Sequence, residues 1–548
     1  MCKSRQFVSI FAILVITTTP AIFAQGLGPD SGRPNVLLAI SDDQSYPYAS
    51  IYGEPQLSTP AFDAVARNGI LFHNAFTPCP GCSPMRAALL SGQHVWQIRE
   101  AGTHASSFPR ELKCFTGELA ERGYHVGYTG KPWGPGNWAV SGWTQNPVGP
   151  AYNKLQIDAP EGISRTDYAA NFESFLDERS PDQPFCFWYG GHEPHRSFGN
   201  GLGIAAGKDP AQVRVPKFLP DSTEIRSDLL DYFYEIEWFD SHLDRMLASL
   251  KSRGLLENTL VVVTSDNGMS FPRAKANLYE YGIHMPLAIS WPAAIKNKGR
   301  DCVDLVSLLD VTATIYDVCR LPPPADQPLS GKSLKPLLAG EQFEASEAVF
   351  AGRERHSSSR FNSLGYPCRC VRTDQYLYIR NFAPERWPAG SPRKYSSVTY
   401  DRQGQPIKFQ LGPVDGGYHD IDACPTLTWM IKHRSLSGVN ELLEAAVAIR
   451  PAEELYNVKL DPACLSNLLD HSDDAVEQQL SRHRKLLDDE LAATGDLRHL
   501  DFPASQVWEQ YPRYSSLRWF PAPEWAQKSP ESAPSQAWLE QQRPQENR

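Results

Sequence analysis

The run Thr259-Leu-Val-Val-Val-Thr264 constrains the fold more than any other stretch of this chain. A strand that alternates apolar and polar residues buries one face, whereas a strand apolar throughout has both faces covered, as in a sheet layered between helices. Asn35-Val-Leu-Leu-Ala-Ile40 and Pro184-Phe-Cys-Phe-Trp-Tyr189 read the same way, and Tyr124 to Thr129 and Gly69 to Phe76 read as shorter strands. Between them lie helical patterns: a capped helix over Thr59 to Arg67, a second over Leu112 to Arg122 closed by Gly123, and a long one over Asp221 to Ser252. Such alternation specifies an α/β fold. Open sheets of this kind gather ligands outside the carboxyl ends of their strands, so the residues that follow each strand carry the functional information.

Those residues are polar in a coherent way. The first strand ends in Asp42-Asp43 and the Thr259 strand in Asp266-Asn267-Gly268. Each alone is an ordinary turn; as a pair they are two halves of a site for a hard divalent cation, Ca²⁺ or Mg²⁺, which prefers carboxylate and amide oxygens. The Tyr124 strand ends at Gly130-Lys131, and the Pro184 strand at His192-Glu-Pro-His195-Arg196. The Gly69 strand delivers the chain to Cys82-Ser-Pro-Met-Arg86, where Pro84 fits the first turn of a helix. A cysteine at a helix start meets unpaired N–H groups and the positive end of the helix dipole, and Arg86 adds a fork of donors suited to an oxyanion.

Cys82-x-Pro84-x-Arg86 followed by Ala-Ala-Leu-Leu-Ser-Gly resembles the signature of the type I sulfatases. Gly123-Tyr-x-x-x-Tyr-Thr-Gly-Lys131 is similar to that family's second signature, and Asp42-Asp43, His192-x-Pro-His195 and Asp266-Asn267 occur in the family's order across roughly residues 35 to 340. The resemblance implies an alkaline phosphatase-like mixed α/β sheet flanked by helices, with a smaller C-terminal antiparallel-sheet subdomain. It implies that Cys82 is converted to formylglycine by a formylglycine-generating enzyme. It further implies that Asp42, Asp43, Asp266, Asn267 and an oxygen of residue 82 hold one Ca²⁺, with Mg²⁺ as the alternative. Lys131 and Lys275 then contact the sulfate, with Arg273 competing for the place of Lys275, and His195 protonates the leaving atom while Arg86 holds the geometry. The hydrated aldehyde attacks sulfur and afterwards expels sulfate. Two positions depart from the pattern: Met85 stands where the family has Ser or Thr, and Trp133 where it has a histidine that helps regeneration. His94 and His104 are available in sequence to replace that histidine, although each reads more simply as a surface residue. Phe271-Pro-x-x-Lys275-x-Asn-Leu-Tyr279 looks most like the heparan N-sulfatase branch, so a sulfated carbohydrate, ester or sulfamate, is the expected substrate.

The remaining chain sets bounds. Lys3 and Arg5 precede an apolar run from Phe7 to Phe23, which reads as a signal peptide over 1–24 and as export to the periplasm or outside the cell. No later stretch is long and apolar enough for a membrane span. A net charge of −10 argues against nucleic-acid binding. Eleven cysteines are few for 548 residues; with Cys2 and Cys82 set aside an odd number remains, so at least one thiol stays unpaired within the chain. The catalytic domain is expected over 33–344, with a helix over Asp304 to Tyr316. A C-terminal subdomain is expected over 345–501, with a strand Cys370 to Ile379 and a helix from about Asp474 to Ala493, followed by an irregular polar tail over 502–548. A phosphate or phosphonate hydrolase of the same fold, and a non-catalytic sulfoglycan-binding protein, are the rival readings.

Overall fold

The computed structural model describes residues 33–527 apart from 404, 405 and 472. The expected signal peptide and the tail beyond 527 lie outside the described residues. Four parallel strands form the heart of the main sheet: β1 (Asn35–Ser41), β3 (His125–Gly130), β4 (Phe185–Gly190) and β5 (Thr259–Ser265), in the order β3-β4-β1-β5. β6 (His284–Ser290) runs antiparallel to β5 and leads to β2 (Ile70–Phe76), which pairs with the short β7 (Arg300–Cys302) and β8 (Val306–Ser307). β1 and β5 are buried along their whole length because helices cover both faces. Leu37, Ala39, Val261 and Val263 pack against the long helix Thr223–Ser252, while Val36, Leu38 and Val262 share a second core with the helix that begins at Cys82.

Local chemistry sets the element boundaries. The helix Pro60–Arg67 has Pro60 in its first turn, and its free N–H groups are capped from elsewhere: both carboxylate oxygens of Asp240, on the long helix, accept from Ala61 and Phe62 N–H at 2.8 Å. Thr59, expected to cap, makes no such bond. The helix expected over Leu112 to Arg122 starts later, at Phe115, and the one expected from Asp304 starts at Leu308, where a Ser307–Asp310 capping box fixes its first turn. The carboxyl ends of β3 and β4 meet closely, Lys131 N–H donating to Gly190 O at 2.7 Å. A Cβ on Gly190 would lie 1.9 Å from Lys131 O, so only glycine permits this approach.

The C-terminal subdomain is an antiparallel sheet built from β9 (Ala348–Arg353), β10 (Cys368–Thr373), β11 (Tyr376–Asn381) and β12 (Glu453–Asn457), in the order β12-β11-β10-β9, backed by the helix Asp474–Thr494. The single strand expected over Cys370 to Ile379 is a hairpin that turns at Asp374-Gln375. The ten cysteines among the described residues are all buried and none is joined in a disulfide. Among the described residues no helix is long and apolar enough to cross a membrane.

The stretch after Phe502, expected to be an irregular polar tail, forms short helical turns at Ala504–Gln506 and Val507–Gln510 and packs back onto the molecule as far as Phe520. Trp508 and Phe520 are buried, and Glu509 accepts from Arg386 at 2.8 Å and from Gly365 N–H at 2.9 Å, with Arg498 at 3.4 Å. Burial opposes the Glu509 charge, but Arg386 and Arg498 outweigh it and hold the carboxyl at about 2. A carboxyl depressed in the folded state stabilises above its unfolded pKa and loses that contribution as pH falls toward the folded value. Stability is therefore expected to drop between roughly pH 4.5 and 2, by up to about 3 kcal/mol from this group. Glu509→Gln should be less stable at neutral pH and flatter through that window in a pH series of thermal unfolding; an unchanged acid limb would contradict the assignment.

Candidate active site

The parallel pairing of β1 with β5 aligns Ser41 with Ser265 and thereby brings Asp42-Asp43 beside Asp266-Asn267. Ligand atoms of Asp42, Asp43 and Asp266 lie within 4.8 Å of one another, and all three residues are buried. Asp43 N–H donates to Asp266 Oδ1 at 3.1 Å, and Asn267 Nδ2 donates to Asp43 Oδ1 at 2.7 Å. Three cationic side chains face this cluster. Arg86 Nε donates to Asp266 Oδ2 at 2.8 Å and its Nη1 to Lys131 O at 2.7 Å. Lys131 Nζ donates to Asp42 Oδ2, and Lys275 Nζ bridges Asp43 Oδ2 at 2.7 Å and Asp422 Oδ2 at 2.8 Å.

Burial is the largest influence on each carboxyl, and the neighbours then separate them. Against that burial, Lys131, His195 and Arg86 hold Asp42 well below the usual carboxylate range. Burial together with the Asp42 charge pushes Asp266 up to about 6. Lys275, although buried, is held well above its ordinary value by Asp422 and Asp43. Two acceptors within the cluster, Asp42 Oδ1 and Asn267 Oδ1, are buried and have no hydrogen-bond partner among the described residues. Unpaired buried oxygens are costly, and a hard cation among these four residues would satisfy both. The donor set therefore fits Ca²⁺ or Mg²⁺.

Cys82 opens the helix Cys82–Ser91 and is buried at the same sheet edge. Burial pushes its thiol up to about 11, so the unmodified side chain is a neutral thiol. His195 lies at the end of β4, its side chain about one-third exposed, with Nδ1 at 2.6 Å from Arg196 O. That carbonyl is an acceptor, so Nδ1 carries the proton and Nε2 faces the site, 3.9 Å from Asp43 Oδ2.

The structure thus brings together Asp42, Asp43, Cys82, Arg86, Lys131, His195, Asp266, Asn267 and Lys275. Arg273 points elsewhere, bonding the carbonyls of Ala445 and Cys464 and stacking on Tyr279. Met85 faces the apolar core, and Trp133 is buried edge-on to Phe108. Neither His94 nor His104 is an ordinary surface histidine. His94 is buried, stacked on Trp96 and 3.0 Å from Glu490. His104 lies with Nε2 3.2 Å from Cys82 Sγ, in reach of the helix start that Trp133 leaves without a histidine. Asp422, His356 (whose ring lies 4.7 Å from that of His104) and Arg513, which donates to His356 O at 3.1 Å, escaped the sequence reading. All three come from the C-terminal part and carry no local motif.

The sulfatase family profile matches residues 34–320, and the chain belongs to the sulfatase family. It is a hydrolase of sulfuric esters or sulfamates. The C-terminal profile of N-sulphoglucosamine sulphohydrolase also matches, over residues 273–389. It is 32% identical to N-sulphoglucosamine sulphohydrolase of Homo sapiens over 392 residues, covering 65% of this chain and 75% of the human protein. An ulvan-active sulfatase of Formosa agariphila is 26% identical over 453 residues, covering 81% of this chain and 77% of its own length. Among solved structures, a 2-O GAG sulfatase superposes with a TM-score of 0.58 at 19% identity, over 85% of this chain and 93% of that one. A protein solved with its substrate D-glucosamine-2-N,6-O-disulfate does so with a TM-score of 0.55 at 18% identity, over 85% and 98%. These two likenesses establish the fold.

Proposed function

We propose that this protein is an exported carbohydrate sulfatase acting on a sulfamate or sulfate ester of an amino sugar. The observation that carries the reading is the single buried cluster in which Cys82, the two acidic strand ends and three cations meet. A divalent cation, Ca²⁺ by preference, held by Asp42, Asp43, Asp266 and Asn267, and a formylglycine made from Cys82 by a converting enzyme, supply charge neutralisation of the sulfuryl oxygens and the attacking hydroxyl. The chain's own residues do the rest. Lys131 and Lys275, now on Asp42 and Asp43, are placed to turn toward the sulfuryl oxygens once those carboxylates have another partner. Arg86, fully buried, fixes Asp266 and the Lys131 backbone together. His195, with Nε2 directed inward, is the donor to the departing oxygen or nitrogen when both of its ring nitrogens carry a proton. The N-terminal segment with Lys3, Arg5 and its apolar run serves export, and residues 33–344 and 345–501 serve as catalytic and C-terminal parts.

The reading is tested by turnover of N-sulfoglucosamine, an aryl sulfate and the matching aryl phosphate by protein made alongside the converting enzyme. Preference for the sulfamate over the phosphate is expected; the reverse order would move the protein to the phosphate hydrolase reading. The cation is tested separately by thermal unfolding. Ca²⁺ added to chelator-treated protein should stabilise it, by about 2.7 kcal/mol at a hundredfold excess over Kd. Asp43→Asn should abolish most of that gain, and an equal Ca²⁺ response in both proteins would place the ion elsewhere.

A further inference from the structure

Next to the cluster runs a cleft of about 650 Å³, whose lining includes Asp42, Lys131 and His195 together with Glu193 and Glu235. The two glutamates differ. Glu193 is fully used: one oxygen accepts from Ser164 N–H at 2.9 Å, the other from Tyr168 OH at 3.0 Å, and its carbonyl accepts from Asp42 N–H at 3.0 Å. Glu235, midway along the long helix Thr223–Ser252, is only 1% exposed, and neither of its carboxyl oxygens has a hydrogen-bond partner among the described residues. Other polar residues of the same helix are engaged: Asp228 binds Arg196 and Thr426, Asp231 binds the N–H groups of Gly201 and Gly203, and Tyr232 OH accepts from Ser45 N–H. A buried carboxyl without partners is among the costliest groups a fold can carry. Here it stands at the wall of the cleft that holds the reacting groups.

We propose that Glu235 is the specificity residue of this cleft, accepting hydrogen bonds from the hydroxyl or amino donors of the sugar that carries the sulfate. This rests on the carbohydrate sulfatase reading and deepens it. The groups lining the cleft support it: Lys131 suits the sulfuryl anion, while Glu235, unlike the fully occupied Glu193, keeps carboxyl oxygens open to a donor. Burial pushes Glu235 up to about 10, so in the free protein it is a neutral acid; an approaching ammonium or a set of hydroxyls supplies the partners that the fold withholds.

The test compares Glu235→Met, which keeps length and removes both oxygens, with Glu235→Gln, which keeps an acceptor. Loss of a hydrogen-bonding wall should raise KM for N-sulfoglucosamine about tenfold or more in Glu235→Met with kcat changed far less, and less in Glu235→Gln. The same Glu235→Met protein should unfold at a higher temperature than the parent, since it discards an unpaired buried carboxyl. A purely structural role predicts the higher unfolding temperature with KM unmoved, and that result overturns the proposal. Binding of glucosamine, followed by calorimetry on protein with an unmodified Cys82, separates this idea from the wider reading. Glu235-dependent glucosamine binding by a protein that hydrolyses no sulfated sugar would leave the cleft assignment standing and remove the sulfatase reading. Turnover by the parent with glucosamine binding and KM indifferent to Glu235 would do the opposite.

Discussion

Cys82→Ala is expected to lower turnover of N-sulfoglucosamine by about 10³-fold or more while leaving the fold intact. The side chain opens a helix whose backbone is fixed by its neighbours: Met85 N–H bonds Gly81 O at 3.0 Å, and Ser83 Oγ accepts from Ala105 N–H at 3.0 Å. Alanine disturbs none of these bonds, so stability should stay within about 2 kcal/mol of the parent. The chemistry is another matter, because a thiol held neutral by burial is a poor nucleophile, and alanine offers neither it nor a precursor of an aldehyde. In protein made with the converting enzyme, the peptide bearing Cys82 should react with a hydrazide, and that of Cys82→Ala should not. Retention of more than a tenth of the activity by Cys82→Ala would transfer the nucleophile to another group.

The second large effect concerns stability. Arg369, on β10, is fully buried and donates to Asp496 Oδ2 at 2.6 Å, Glu354 Oε1 at 2.7 Å and the carbonyl of Cys368 at 3.0 Å. Arg498 completes the group, holding Glu354 Oε2 at 2.7 Å. These contacts tie the antiparallel sheet to the end of the helix Asp474–Thr494. Removing one member of a buried ionic network strands the others, so Arg369→Ala should lose about 3–5 kcal/mol. Arg369→Lys keeps the charge but not the planar fork and should fall between the two. Equilibrium unfolding checks both, and a loss below about 1 kcal/mol for Arg369→Ala would mean that the network contributes little.

Much of this was legible in the sequence because parallel strands end at one edge. Apolar runs located β1, β4 and β5, and the residues after each had to share that edge whatever the details of packing. In the sequence Lys275 is preferred over Arg273 only by its match to the motif; that Lys275 reaches Asp43 while Arg273, at a positive φ of 70°, turns toward Tyr279 appears only in three dimensions. His104 was misjudged as a surface residue because nothing in its neighbours tells that the loop folds over Cys82. Asp422 and Glu235 were invisible for a different reason. One lies in a segment without periodicity, and the other looked like any polar position on an amphipathic helix, its lack of partners being a property of the assembled core.

The ordering of the chain's last described segment has a consequence for synthesis. Tyr514 N–H bonds Ala105 O at 2.7 Å, and Arg513 sits against both His104 and His356. Arg513 follows His104 by 409 positions in the chain, so the loop that carries His104 gains this second fastening only after the segment around Tyr514 has been made and has docked. A truncation before Tyr511 would imitate that nascent form, with the Cys82 helix in place and the clasp over it missing.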